Sequence, residues 1–155
     1  MSDSEDFNTT NDGVYTDMER THMGSLKAGN IVIIKNRPVR ILSISTGKVG
    51  KHGAAKTIVK CTDVITDKYI EDYAKSTRAV WLPKVTRTEY SMIDLKDDYV
   101  TLLNDSGETK DVKLRKEDVV SDLITEYYNA GKDNVLITVL FVNSEERIIE
   151  CKLGK

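Results

Sequence analysis

Residues 30–66 read NIVIIKNRPVRILSISTGKVGKHGAAKTIVKCTDVIT, and this stretch decides the fold of the first half of the chain. IVIIK (Ile31 to Lys35) and VRILSIS (Val39 to Ser45) are β-rich runs separated by the short turn signal NRP, which predicts two strands in tight connection. KTIVKCTDVIT (Lys56 to Thr66) predicts another strand, with Ile58, Cys61 and Val64 as candidate core residues. Ahead of it, Gly47, Gly50 and Gly53 recur at every third position, with Lys48, Lys51, His52 and Lys56 interspersed. Glycine tolerates positive φ, so this spacing predicts a tight, exposed hairpin tip between neighbouring strands.

The charge of the same stretch is one-sided. From Ile31 to Cys61 stand Lys35, Arg37, Arg40, Lys48, Lys51, Lys56 and Lys60 with no Asp or Glu, a local charge of +7 in a chain at −2, so the remainder carries −9. Protein surfaces ordinarily mix their signs, and this segregation points to a basic prong aimed at a polyanion, with nucleic acid the first candidate. Charge alone also allows a solvated hairpin whose lysines contact nothing, and it does not distinguish Lys51 from Lys48.

Outward from this segment, the 155 residues are enough for one ordinary domain or two small ones. Two cysteines, Cys61 and Cys151, and two histidines, His22 and His52, argue against a four-ligand zinc site, and the cysteine count excludes a disulfide framework. No apolar run approaches the roughly 20 residues that span a bilayer, and the acidic start lacks a signal-peptide core, so no membrane partner and a cytoplasmic location are expected. Residues 1–19 hold Asp3, Glu5, Asp6, Asp12, Asp17 and Glu19 without Lys or Arg, and are expected to form a disordered acidic tail.

Residues 20–84 then read as a small β-barrel: after the strands above come a short polar strand in TDKYIEDYAK (Thr66 to Lys75) and VWLPKV (Val80 to Val85) leading out. The pattern restarts near Lys84 to Thr86. In residues 85–155, YSMIDLK, YVTLLND and TKDVKLR read as a meander. Val119, Val120, Leu123, Ile124, Tyr127 and Tyr128 recur at helical spacing up to Gly131, and NVLITVLFVN and RIIECKLG add two strands. Five strands with a helix before the last two is the layout of an OB-fold barrel, so the expected class is all-β with one short helix. Trp81 and Tyr99 are expected in the cores rather than as stacking platforms.

Known phosphate chemistries do not fit the loop. A P-loop requires GxxxxGK followed by Ser or Thr, but Ser45 stands where the first glycine belongs and His52 follows Lys51. A dinucleotide fingerprint requires GxGxxG opening a helix, and a KH-type GxxG joins two helices, whereas these glycines lie between strands. No nucleophile, base and acid can be grouped from the sequence, so no catalytic residues are assigned and the chain is not read as an enzyme.

TGKVGKHGAAK, with NIVIIKNRPVRILSIS before it and YSMIDLKDDYVTLLNDSGE after it, resembles the family of eukaryotic translation initiation factor 5A, the hypusine-containing factors related to bacterial elongation factor P. The resemblance runs from about Leu26 into the C-terminal strands, and departs at Ala54, where a second histidine is usual, and at Val49. It implies an SH3-like barrel followed by an OB-fold barrel, with Lys51 as the lysine converted to hypusine. No separate cofactor is implied, only this spermidine-derived covalent modification, made by deoxyhypusine synthase and deoxyhypusine hydroxylase. Gly47, Gly50 and Gly53 would set loop geometry, and Lys48, His52 and Lys56 would contact RNA or the modifying enzymes. The implied activity is that of a translation factor on the ribosome beside the acceptor end of peptidyl-tRNA, assisting peptide-bond formation at stalled sites such as consecutive prolines, and termination. The alternatives are an unmodified RNA-binding two-barrel protein and a self-assembling structural paralogue, the latter disfavoured by the intact GKHG.

Overall fold

The computed structural model describes residues 18–48 and 55–155. The chain divides into two compact units, the first ending at Lys84 and the second running from Val85 to Lys155. Most of the expected acidic tail lies outside the described residues. Glu19, its last member, instead begins a strand and pairs with Leu82, because a backbone partner is available there whatever the side-chain composition.

The first unit contains β1 (Glu19–His22), β2 (Ile31–Ile34), β3 (Arg37–Lys48), β4 (Ala55–Asp63), β5 (Tyr69–Lys75) and β6 (Ala79–Leu82), in the order β1-β6-β2-β3-β4-β5. β2 turns into β3 through Lys35 and Asn36, with φ of +52° and +65°, the two-residue hairpin geometry that matches strand twist. The turn therefore comes earlier than the NRP signal suggests, and Arg37 and Pro38 already pair with Ile34 and Ile33. Between Ile41 and Ser43 the pairing with β4 shifts by one, leaving Leu42 as the extra residue of a β-bulge, half exposed. Val32, Ile34, Val39, Ile41, Val59 and Cys61 form the core with Met23. A one-turn 3-10 helix, Met23–Ser25, packs against β4 and β5, and the Met23 N–H donates to the Arg78 carbonyl at 2.9 Å, closing an SH3-like barrel.

The second unit contains β7 (Val85–Lys96), β8 (Tyr99–Leu103), β9 (Thr109–Lys113), α1 (Val119–Asn129), β10 (Val135–Val142) and β11 (Glu145–Leu153). Its sheet runs β11-β10-β7-β8-β9, and β9 meets β11, closing an OB-fold barrel. Val100, Leu102, Ile124, Ile137 and Val139 are among its core residues. The helix stops where expected: Gly131 has φ +67°, and its N–H donates to the Tyr128 carbonyl at 3.1 Å.

Several expected core residues point outward. On β4, Thr57, Val59, Cys61 and Asp63 face in, so strand alternation sends Ile58 out at 45 % exposure. Trp81 is turned out by its buried neighbour Val80, and Tyr99 by Val100. At the helix, Val119 is largely exposed, and Tyr128 reaches the surface, where its hydroxyl donates to Asp94 Oδ1 at 2.7 Å.

Candidate functional site

The basic segment is the β3–β4 hairpin. Its last described rungs are Thr46 opposite Thr57, Gly47 opposite Lys56, and Lys48 opposite Ala55. Gly50, Lys51, His52 and Gly53 fall in residues 49–54, outside the described residues. Gly47 was expected to shape the turn, yet it lies in paired strand, its φ is not in the left-handed region, and a Cβ there would meet nothing within 4 Å. Strand pairing continues past it because the hairpin root is held from the side.

That hold centres on Ser76, just after β5. Thr57 is fully buried, and a buried hydroxyl requires a partner. Its Oγ1 lies 3.2 Å from Thr46 Oγ1 and 2.8 Å from Ser76 Oγ. The Ser76 N–H donates to the Ala55 carbonyl at 2.9 Å, while the Ser76 carbonyl accepts from the Gly24 N–H at 2.8 Å and lies 3.1 Å from His22 Nδ1. A Cβ on Gly24 would come within 2.9 Å of Ser76 Cβ, so glycine is required there by close approach. Both legs of the hairpin are thus fixed to the barrel within three residues of the segment that contains Lys51.

These four residues, Gly24, Thr46, Thr57 and Ser76, are absent from the sequence-based expectations. Thr57 had a signal, since it is in phase with Val59 and Cys61 along β4; the approach of Gly24 to Ser76 is nonlocal and had none.

Electrostatically, the hairpin carries cations and no acid from Val39 to Thr62. Lys56 Nζ lies 5.3 Å from the centroid of the Tyr73 ring, a cation–π distance. At the far end of β4, buried Asp63 receives Arg37 Nε at 2.7 Å and Arg37 Nη2 at 3.2 Å, and its Oδ1 also accepts the N–H groups of Ile65 and Thr66. Burial pushes the Asp63 pKa upward, but the Arg37 and backbone hydrogen bonds outweigh it and hold the carboxyl below its ordinary value. The charge is therefore structural, tying β3 to the turn after β4. Burial, with a smaller contribution from Asp72, pushes the Cys61 thiol up to about 11, and burial alone does the same for Cys151, so neither is a ready nucleophile. Among the described residues, no group of three or more His, Cys, Asp or Glu comes together that could hold a metal ion, and no helix is long and apolar enough to cross a membrane.

Compared with known proteins, residues 17–78 match the family described as "Translation initiation factor 5A-like, N-terminal", and residues 84–152 match "Eukaryotic elongation factor 5A hypusine, DNA-binding OB fold". The chain is 36% identical over 150 residues to Eukaryotic translation initiation factor 5A-1 of Arabidopsis thaliana, covering 96% of this chain and 94% of that one. It is 34% identical over 152 residues to the protein of the same name from Saccharomyces cerevisiae, covering 98% and 96%. Among solved structures, a translation initiation factor eif-5a family protein from Naegleria fowleri superposes with a TM-score of 0.78 at 32% identity, covering 88% of this chain and 99% of that one. Identity at this level along nearly the whole length of both partners, with a family match on each barrel, means that the chain belongs to the eukaryotic translation initiation factor 5A family of translation factors.

Proposed function

We propose that this translation factor acts in the cytoplasm through a hypusine on Lys51, binding the ribosome beside peptidyl-tRNA and promoting peptide-bond formation at stalled sites, consecutive prolines among them, and termination. The observation that carries the reading is the hairpin root: paired strands, anchored by Ser76, deliver a cationic segment with the GKHG sequence at its centre. A prong can act at a distance only if its base is stiff, and the buried Thr57 hydroxyl and the Ala55 to Ser76 hydrogen bond supply that stiffness.

Deoxyhypusine synthase would transfer an aminobutyl group from spermidine to the Lys51 amine, and deoxyhypusine hydroxylase would complete the side chain. The product is longer than lysine and carries two amines, so it reaches into a narrow RNA channel while remaining cationic. Lys48, His52 and Lys56 would add contacts to RNA or to the modifying enzymes, and Gly50 and Gly53 would let the backbone turn and approach closely. In this reading the protein contributes no acid, base or nucleophile. It holds the acceptor end in a reactive pose by charge and position, and each tenfold in rate needs only about 1.4 kcal/mol.

Mass measurement of the Lys51 peptide from the native cell tests the modification, with the mass of hypusine as the expected result. An unmodified lysine would leave an RNA-binding protein without this mechanism. In cells depending on this chain, Lys51→Ala should abolish synthesis of a polyproline reporter while the purified variant melts like the parent. Unchanged reporter output would refute the proposal.

A further inference from the structure

The outer surface of β4 and β5, next to the hairpin root, combines aromatic rings with cations. In the register of these strands Ile58 lies opposite Tyr73, Lys60 opposite Glu71, and Lys56 opposite Lys75. Tyr73 is 65 % exposed and Tyr69 56 %, more than any other aromatic side chain among the described residues. Alternation places both rings on the same outward face of β5. A face made for a protein partner is ordinarily depleted in lysine at its centre. Here Lys56, Lys60 and Lys75 surround the rings, and the carboxylate of the one acid among them, Glu71, accepts the Tyr69 hydroxyl at 2.8 Å.

We infer that this face is a stacking platform for unpaired RNA, with Tyr73 and Tyr69 each receiving a base and the lysines holding the intervening phosphates. Aromatic rings set among cations suit single strands, whose bases are free to splay out and stack, and do not suit a duplex, whose bases are already stacked. The two tyrosines are four residues apart on one strand, about 13 Å, which accommodates bases that are not immediate neighbours. The Lys56 ammonium lies near the Tyr73 ring, yet the ring stays mostly open, and the space beside Gly47 is also clear. Because Lys56 belongs to both the hairpin and this face, the platform continues the basic prong along β4. The inference rests on the reading of the hairpin as directed at RNA, and names the form of RNA that its flank recognises.

The test uses the full-length, unmodified chain with two probes, an unstructured uridine-rich oligoribonucleotide and an RNA duplex of the same length, at fixed low salt. The single strand should bind more tightly. Tyr73→Ala should weaken single-strand binding about tenfold and leave duplex binding unchanged, Tyr69→Ala should act in the same direction, and Tyr73→Phe should retain affinity. Thermal melting of each variant checks that the barrel is intact. Single-strand binding unaltered in Tyr73→Ala would assign the ring to a protein contact and overturn the inference, as would equal losses on both probes, which would report charge alone. Since Lys51 is unmodified throughout, failure here leaves the hypusine mechanism standing, and an unmodified Lys51 in the native protein leaves this result standing.

Discussion

Residues 18–84 carry a formal charge of +8 and residues 85–155 a charge of −5, although both units are antiparallel barrels with Val- and Ile-rich cores and two-residue turns at positive φ. The OB-fold surface most often used on nucleic acid is the outer side of its second and third strands, here β8 and β9. On that side Thr101 donates to Asp111 at 2.7 Å, and neighbouring Asp94 on β7 holds the Tyr128 hydroxyl. Phosphates brought there would meet Asp94 and Asp111 as well as Lys113, whereas along the β3–β4 hairpin from Val39 to Thr62 they would meet cations without an acid. Fold and charge placement thus favour different units as the RNA binder, and the proposed function follows charge placement.

The contrast can be broken most forcefully through the cores. Ile34→Ala in the first unit and Ile137→Ala in the second each remove a fully buried side chain, and each should cost about 3 kcal/mol. Hydrogen exchange should locate the lost protection in the substituted unit, and equal loss in both would show that the barrels are not independent. Charge reversal separates the two surfaces next. Lys60→Glu should weaken RNA binding about tenfold at low salt and flatten its salt dependence, while Lys113→Glu on β9 should change it by less than about twofold. Comparable losses would remove the distinction between the units.

A separate effect is the pH dependence that Asp63 gives the first unit. The Asp63 pKa is lowered in the folded state, so its stabilisation is complete above the ordinary value of 3.8 and is lost as pH falls through the folded value. Asp63→Asn should cost about 2 kcal/mol at neutral pH, and the gap from the parent should close in acid. Chemical denaturation across that range measures it, and a gap independent of pH would mean that the carboxylate charge is not what Arg37 and the turn require.

The two-barrel order, the helix ending at Gly131 and the hairpin between β3 and β4 were all legible in the sequence, because each depends on local periodicity or turn chemistry. Inward and outward assignments were less so: Ile58, Trp81 and Tyr99 face out because the phase of each strand is set by which neighbours it buries, and bulges reset that phase within a strand. Leu42, Ile93 and Ile149 are each the unpaired extra residue at a register shift, and each is an exposed aliphatic beyond which a strict alternation would misplace the rest of its strand. The hairpin lysines were visible as a run of one sign. The Ser76 anchor was not, since it joins residues from three separate parts of the chain through contacts no local pattern encodes.

The bulge at Leu42 reaches further than its own position. Were Leu42 drawn into regular pairing with β4 instead of bulging, the distal half of β3 would turn over, burying Ser45 and Gly47 and expelling Thr46 from its place beside Thr57. The finger would still be the same sequence from Gly47 onward, but it would leave the barrel back to front.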